Sequence, residues 1–247
     1  MSNVINFLDK TKNIFNITKK SYICAVKKNE MFTLSEENYL KAIYHLQVIS
    51  GKGISTNAIA KKLKTKASSV TDMIKKLADK KVLVYKKYQG VTLTDLGKQI
   101  ATGVIRKHRL WEVFLVDKLN FSWDEVHDVA EQLEHIKSPK LINELDAFLG
   151  FPKTDPHGDP IPDKDGEFQK IEKRLLSTLE QNQLGVCIGV NDSSSEFLKY
   201  LDKYQISLGQ QIKVISKEPF DGSLTILLNH KEITISQKIA NNIYIQS

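Results

Sequence analysis

The spacing of apolar residues differs between the first and the last parts of this chain, and that difference limits the folds it can adopt. Between residues 35 and 149, apart from one short hairpin, apolar side chains recur at intervals of three and four, as in Leu40 and Ile43, which is typical of amphipathic helices. After residue 186 they alternate, as in Val186 and Ile188, which is typical of half-buried strands. The sequence therefore predicts a mainly α fold with a small β part, in which a small β-barrel of five strands and one helix (196–204) comes last.

Residues 55–94 are predicted to form a helix-turn-helix unit with a wing. A first helix begins at Ser35, its expected N-cap, and two shorter helices follow at 55–63 and 66–80. Two such helices can cross closely where one carries a small residue, here Ala60, and the other an apolar wedge, here Val70. A β-hairpin with a basic tip follows them, and helices over 94–119, 123–136 and 139–149 complete the first half of the chain.

Charge is distributed unevenly between two blocks. Residues 51–90 hold eleven lysines and two aspartates, a net charge of +9, although the whole chain carries only +7. Residues 120–146 hold seven carboxylates and two lysines, a net charge of −5, together with two histidines. A basic block followed by an acidic, histidine-bearing block predicts a polyanion site and then a cation site.

The polyanion expected at the basic block is double-stranded DNA. Short polar side chains at the start of the second helix of the pair could reach base edges, and lysines on that helix and on the hairpin could contact phosphates. The candidate DNA-binding residues are Lys66, Ser68, Ser69, Thr71, Asp72, Lys75, Lys76, Lys86 and Lys87. The alternative is an ordinary corner of a helical bundle with a solvated lysine face, but the basic hairpin favours DNA.

The cation site is predicted from residues that share a helical face. His127, Glu131, Glu134 and His135 fall within one arc of about 100° on a helix, beside its apolar face. His108 and Glu112 lie four apart at the edge of the apolar face of the preceding helix. Packing these helices together would gather imidazole and carboxylate ligands, which suit manganese, iron, nickel, cobalt or zinc rather than calcium or magnesium.

The remaining composition argues against several classes of protein. Two cysteines, Cys24 and Cys187, are too few and too distant for a disulfide framework, so we expect a reducing, cytoplasmic location. Lysines and Asp9 interrupt each apolar run within the first thirty residues, which argues against a signal peptide or a membrane partner. Residues 1–30 are predicted to be a disordered extension or the result of a start assigned too far upstream, and they are assigned no function.

Several short motifs together resemble the diphtheria-toxin-repressor and manganese-transport-regulator family of metal-dependent repressors. The motifs are Glu36–Tyr44, Ser69-Val70-Thr71, Tyr85–Tyr88 with Leu93-Thr94, Arg106–Leu110, Val126–Val129, Glu134-His135 and His157–Pro162. The resemblance covers about residues 31 to 247. It implies a winged helix-turn-helix domain (31–94), a helical metal-binding and dimerisation domain (95–150), a proline-rich linker (151–170) and an SH3-like domain (171–247).

The resemblance also implies two metal sites in each subunit of a homodimer. One would use His108, Glu112 and His127, with Glu196 as an optional further ligand from the barrel. The other would use Glu131, Glu134 and His135, with Asn38 from the first helix. Metal at the second site would tie the first helix to the ligand helix and set the two recognition helices about one DNA turn apart, for a palindromic operator.

Three positions depart from the patterns of the family and bear on the metal. The iron branch has cysteine in place of Glu131 and methionine in place of Asn38, whereas the manganese branch has aspartate at the latter position. Members with a closely spaced metal pair have a carboxylate where this chain has Lys41, so no close pair is expected. A carboxylate in place of a thiolate favours Mn²⁺, with Fe²⁺ as the alternative.

Two other functions fit parts of the sequence. A metal-independent architectural DNA-binding protein would use the basic hairpin but would leave the histidine and glutamate set unexplained. A metallohydrolase would use those ligands, but the sequence has neither an HExxH motif nor a separate nucleophile, so we expect no enzymatic activity.

Overall fold

The computed structural model describes residues 32–192 and 194–246. The predicted extension over residues 1–30 lies outside the described residues. The described chain falls into two compact units: one comprises the residues up to Val104 together with His135–Leu141, and the other comprises Ile105–Glu134 and the residues from Ile142 onward. Among the described residues, no helix is both long and apolar enough to cross a membrane.

The first unit begins with a winged helix-turn-helix. Its elements are α1 (Leu34–Ser50), α2 (Thr56–Lys62), α3 (Ala67–Asp79) and the antiparallel hairpin of β1 (Leu83–Lys86) and β2 (Gly90–Leu93). Ala60 is 8% exposed and Val70 is fully buried, as expected for two helices that cross closely. Leu40 and Ile43 of α1 join them in one apolar core with residues of the hairpin.

The N-cap of α1 differs from the prediction. Thr33, and not Ser35, caps the helix, so the predicted N-cap at Ser35 is wrong. The Thr33 hydroxyl accepts a hydrogen bond from the Glu36 N–H at 3.3 Å, and the Glu36 carboxylate accepts one from the Thr33 N–H at 2.8 Å. This reciprocal capping box needs a glutamate or glutamine three residues after the cap. Only Thr33 meets that condition, because Asn38 follows Ser35 at the same spacing.

Three helices follow the wing. They are α4 (Asp95–Leu119), α5 (Val126–Leu133) and α6 (Pro139–Phe148). The predicted helix over 123–136 is therefore too long at both ends. Ser138 caps α6, its hydroxyl accepting from the Leu141 N–H at 3.3 Å, and Pro139 opens that helix. The chain must leave α5 before this cap, so Glu134 ends the helix and His135 lies beyond it.

The C-terminal part of the second unit is a six-stranded antiparallel sheet in the order β3-β8-β4-β5-β6-β7. Its elements are β3 (Arg174–Leu175), β4 (Leu184–Val190), α7 (Ser195–Lys203), β5 (Gln211–Lys217), β6 (Leu224–Leu228), β7 (Lys231–Ile235), α8 (Gln237–Ala240) and β8 (Ile243–Gln246). Alternate residues of the strands and one face of α7 form a single core. The predicted fold class is confirmed, with the short β3 and α8 as additions.

Candidate metal centre and DNA-binding face

His108 of α4 is held between two carboxylates in the second unit. The residue is 8% exposed, and its Nδ1 lies 2.6 Å from Oε2 of Glu134. Because a carboxylate only accepts, Nδ1 carries the hydrogen. The other nitrogen, Nε2, lies 3.0 Å from Glu112 Oε1 and 3.2 Å from His127 Nδ1. A carboxylate that fixes one ring nitrogen while the other faces further ligands is the usual support of a metal-binding histidine.

Glu112 lies at the centre of this group and is only 2% exposed. Burial acts to raise the pKa of its carboxyl, but hydrogen bonds from His108 and His127 outweigh burial and hold that pKa well below its ordinary value. Glu112 is therefore ionised at neutral pH. An ionised carboxylate can bind a divalent cation without first losing a proton of its own.

Two residues of the 150–166 segment reach the same carboxylate. His157 donates from Nε2 to the Trp123 carbonyl at 2.8 Å, which leaves its Nδ1 facing Glu112 Oε1 at 3.8 Å. Burial, together with the nearby carboxylates of Glu112 and Asp159, raises the pKa of Asp155 to about 8. Binding of a cation by Asp155 would therefore displace a proton at neutral pH.

The loop that carries Asp155 and His157 is fixed from two sides. Arg109 of α4 contacts Asp155 at 3.3 Å and Asp159 at 3.2 Å, and it donates to the Pro160 carbonyl. Gly158 has a φ of +82°, and a Cβ there would lie 1.9 Å from the carbonyl oxygen of Ile188. Only glycine allows this approach to β4. The loop is thus an ordered part of the site.

These residues form two overlapping groups whose ligand atoms lie within 4.8 Å of one another, and Glu112 belongs to both. One group is His108, Glu112 and His127, and the other is Glu112, Asp155 and His157. Mixed imidazole nitrogen and carboxylate oxygen suits a divalent transition metal. The donor set and the oriented imidazoles therefore fit the metal that the sequence predicts.

The other predicted ligands have different surroundings. Glu131 has a half-exposed side chain 3.6 Å from His127 Nε2, and Glu134 is fully buried against His108. His135 instead places Nδ1 2.6 Å from Glu37 within the first unit. Asn38 is half-buried on α1, and Glu196 is exposed in the first turn of α7, outside both ligand groups. Glu131, Glu134, His135 and Asn38 stay a predicted second set, and Glu196 stays a predicted ligand.

The predicted DNA-binding residues are all exposed, in contrast to the buried apolar face of α3. They are Lys66, Ser68, Ser69, Thr71, Asp72, Lys75, Lys76, Lys86 and Lys87. Lys75 pairs with Asp72 at 3.7 Å, and Lys76 lies 3.2 Å from Glu36. At the tip of the hairpin Tyr88 is 93% exposed, with the Lys87 ammonium 5.1 Å from its ring centre. These exposed basic and polar side chains of α3 and the hairpin are candidates for contact with a nucleic acid.

Sequence reasoning assigned no role to Asp155, His157, Glu37 or Tyr88. His157 and its following glycine do stand out in a proline-rich segment, but their sequence distance from Glu112 hides the contact. Glu37 carries no local signal, because acidic residues are common in the first turn of any helix. Tyr88 is visible as an aromatic residue in a basic hairpin tip.

Three family models match consecutive parts of the chain. The iron dependent repressor N-terminal DNA binding domain matches residues 31–91. The iron dependent repressor metal binding and dimerisation domain matches residues 94–163. The FeoA domain matches residues 174–247. The matches cover the DNA-binding face and both metal ligand groups.

Individual relatives agree with these models. The diphtheria toxin repressor of Corynebacterium jeikeium is 31% identical over 145 residues, which are 59% of this chain and 60% of that protein. The transcriptional regulator MntR of Oceanobacillus iheyensis is 36% identical over 126 residues, which are 51% of this chain and 84% of that protein. A solved manganese-dependent transcriptional repressor in complex with manganese is similar with a TM-score of 0.75 and 35% identity, covering 86% of this chain and 99% of that one. The chain belongs to the diphtheria-toxin-repressor and manganese-transport-regulator family of metal-dependent transcriptional repressors.

Proposed function

We propose that the protein represses metal-uptake genes when Mn²⁺, or alternatively Fe²⁺, binds it, and that it binds a palindromic operator as a homodimer. The observation that carries the proposal is the buried Glu112 carboxylate, which imidazoles of His108, His127 and His157 approach. A divalent cation would stabilise such a site, because its positive charge offsets the buried negative charge of the carboxylate. The exposed basic face of α3 and the hairpin supplies the DNA contact.

His108, Glu112 and His127 would hold one metal ion, and Asp155 and His157 would add ligands from the loop. Glu134 and Trp123 act on the ligands, since each fixes one imidazole by accepting from its remaining N–H. A second ion at Glu131, Glu134 and His135 with Asn38 is part of the proposal. A bound cation supplies positive charge that favours one arrangement of the chain. If DNA binds that same arrangement, the metal raises the affinity for DNA by the same factor by which DNA raises the affinity for the metal.

The proposed metal is tested by replacing Glu131 with cysteine. The parent protein should bind operator DNA more tightly with buffered Mn²⁺ and lose that gain with a chelator. Glu131→Cys should shift the preference towards Fe²⁺, Co²⁺ or Zn²⁺, because a thiolate binds those ions more strongly than a carboxylate does. DNA affinity is measured anaerobically with each buffered metal.

Glu131→Ser is the matched control, since it removes the carboxylate without adding a thiolate. It should weaken the response to every metal. A parent that ignores Mn²⁺ and responds only to Fe²⁺ would make the manganese assignment wrong, and DNA binding unaffected by chelator would make the metal switch itself wrong.

The hairpin and α3 are predicted to have different roles in DNA binding, the hairpin in contacts to phosphates and α3 in the preference for operator sequence. Lys86→Ala should weaken binding to all sequences and lower the slope of log affinity against log salt by about one, as expected for one lost phosphate contact. Thr71→Ala should act mainly on the preference for operator over random DNA, because this exposed side chain lies in the second turn of α3. Salt titrations on both DNAs make the comparison.

Lys231→Ala serves as the control, since it removes an exposed lysine from β7, which belongs to the other compact unit. Its salt slope should equal that of the parent. Equal effects of Lys86→Ala and Thr71→Ala on operator and random DNA would contradict the division.

A further inference from the structure

The first turn of α1 carries two adjacent carboxylates that are both buried. Glu36 is fully buried and Glu37 is 1% exposed. Buried glutamates are rare unless they are paired. Consecutive residues of a helix point about 100° apart, so the two side chains meet different parts of the first unit.

Glu37 contacts the predicted metal ligand His135. Its Oε2 lies 2.6 Å from His135 Nδ1, and the His135 side chain is only 8% exposed. The carboxylate can only accept, so Nδ1 carries the hydrogen, and the lone pair of the neutral imidazole is on Nε2. Two residues further on, Lys137 donates to the Phe32 carbonyl at 2.6 Å, just before α1 begins. The His135 segment is therefore fastened to the first turn of α1.

Glu36 contacts the C-terminal end of α3, the proposed recognition helix. Its Oε1 lies 2.7 Å from the Lys80 ammonium and 3.2 Å from that of Lys76. Lys76 is in the last turn of α3 and Lys80 is its C-cap residue. The capping box needs only the Thr33 N–H as a partner of Glu36, so the two lysine contacts serve something other than capping.

We propose that Glu36 and Glu37 are positioning residues that couple His135 to the recognition helix α3. The inference rests on the proposed function, in which His135 binds metal and α3 reads DNA. A metal on Nε2 keeps the Nδ1–H that Glu37 accepts, which holds the first turn of α1 in place. Glu36, on the same turn, then holds the C-terminal end of α3. The whole path lies within one compact unit.

Glutamine substitutions separate the two roles while sparing the fold. Glu36→Gln keeps a capping-box side chain, because glutamine also serves at that position, but it removes the negative charge that faces Lys76 and Lys80. Glu37→Gln keeps the size of the side chain and removes the charge that faces His135. Far-UV circular dichroism and thermal unfolding establish that each variant folds.

The experiment measures Mn²⁺ affinity by competition with a fluorescent chelator, and operator affinity with and without Mn²⁺, on the full chain. Glu37→Gln should lower Mn²⁺ affinity by about tenfold or more, the usual effect of losing a partner of a metal-binding histidine. Glu36→Gln should leave Mn²⁺ affinity without DNA within about twofold, yet reduce at least about fivefold the factor by which Mn²⁺ strengthens DNA binding.

Three further variants sharpen the test. Lys80→Gln should reproduce Glu36→Gln, whereas Lys80→Arg should keep the coupling of the parent because it keeps the charge. Glu232→Gln makes the same chemical change at an exposed position in β7 and should change neither affinity. Because both positions act on one path, Glu36→Gln combined with Glu37→Gln should reduce the coupling by less than the product of the separate effects.

The inference fails if Glu36→Gln keeps the coupling factor of the parent, or if it weakens DNA binding equally with and without Mn²⁺, as a merely structural residue would. It also fails if Glu37→Gln leaves Mn²⁺ affinity unchanged. If the parent itself gains no DNA affinity from Mn²⁺, the proposed function fails, and this outcome is distinct because it appears before any substitution is made.

Discussion

Replacing His135 with alanine is expected to abolish the Mn²⁺-stimulated part of DNA binding while leaving the fold intact. His135 is a predicted ligand whose Nδ1 is fixed by Glu37 at 2.6 Å, so alanine removes both the metal-binding nitrogen and the partner of a buried carboxylate. The loss of Mn²⁺ affinity should exceed the roughly 10- to 100-fold loss that follows removal of a residue that only supports a ligand. That loss is enough to uncouple metal from DNA.

The measurement is operator affinity against buffered Mn²⁺, with helix content and dimer mass determined on the same samples. His230→Asn is a useful control, because His230 is exposed in the turn between β6 and β7 and its positive φ suits asparagine. A Mn²⁺ titration of His135→Ala that matches the parent would remove His135 from the metal site.

The winged helix-turn-helix could be predicted because its signals are local. Ala60 and Val70 occupy adjacent helices with a fixed spacing. In α3 the buried Val70, Ile74 and Leu77 recur at intervals of four and three, and the exposed basic residues fall between them. The strands of the last domain could likewise be located from residues that alternate between the core and the surface. In each case the periodicity of an element reflects the face it buries.

Helix ends were harder to predict because they depend on competing hydrogen bonds. Both Thr33 and Ser35 are acceptable caps by type, and the choice depends on which has Glu36 at the right distance. The predicted helix that contained His135 ends at Leu133, because Ser138 and Pro139 start the next helix. His135 therefore does not share a helical arc with Glu131, although the periodic pattern continues past the end of the helix.

The candidate metal group could be anticipated only in part from the sequence, since candidate ligands on helices leave a pattern and those on loops do not. His108 and Glu112 are four residues apart on α4, which is a visible spacing. Asp155 and His157 reach Glu112 because Arg109 and Gly158 fix the fold of their loop. That contact depends on tertiary packing, so no local feature of the sequence indicates it.

Glu112→Gln should cause the largest loss of bound metal, because Glu112 is the one residue that both ligand groups share among the described residues. Glutamine retains the size and one oxygen but removes the negative charge at the centre of the site. At a free Mn²⁺ concentration about 100 times its Kd, a bound ion stabilises the parent by about 2.7 kcal/mol. The variant should lose most of this stabilisation, and equilibrium dialysis with elemental analysis should give one fewer Mn²⁺ ion per chain.

His127→Ala is the comparison that isolates the role of Glu112. It removes a half-exposed ligand from one group only, and Glu112, Asp155 and His157 remain, so a weaker residual site should persist.

In the parent, Mn²⁺ affinity should rise between pH 7 and pH 8 and level off above pH 8. The Asp155 carboxyl, with its pKa of about 8, must lose a proton to bind the ion. Full Mn²⁺ binding by Glu112→Gln, or affinity that is constant from pH 7 to pH 8, would show that the metal is held elsewhere.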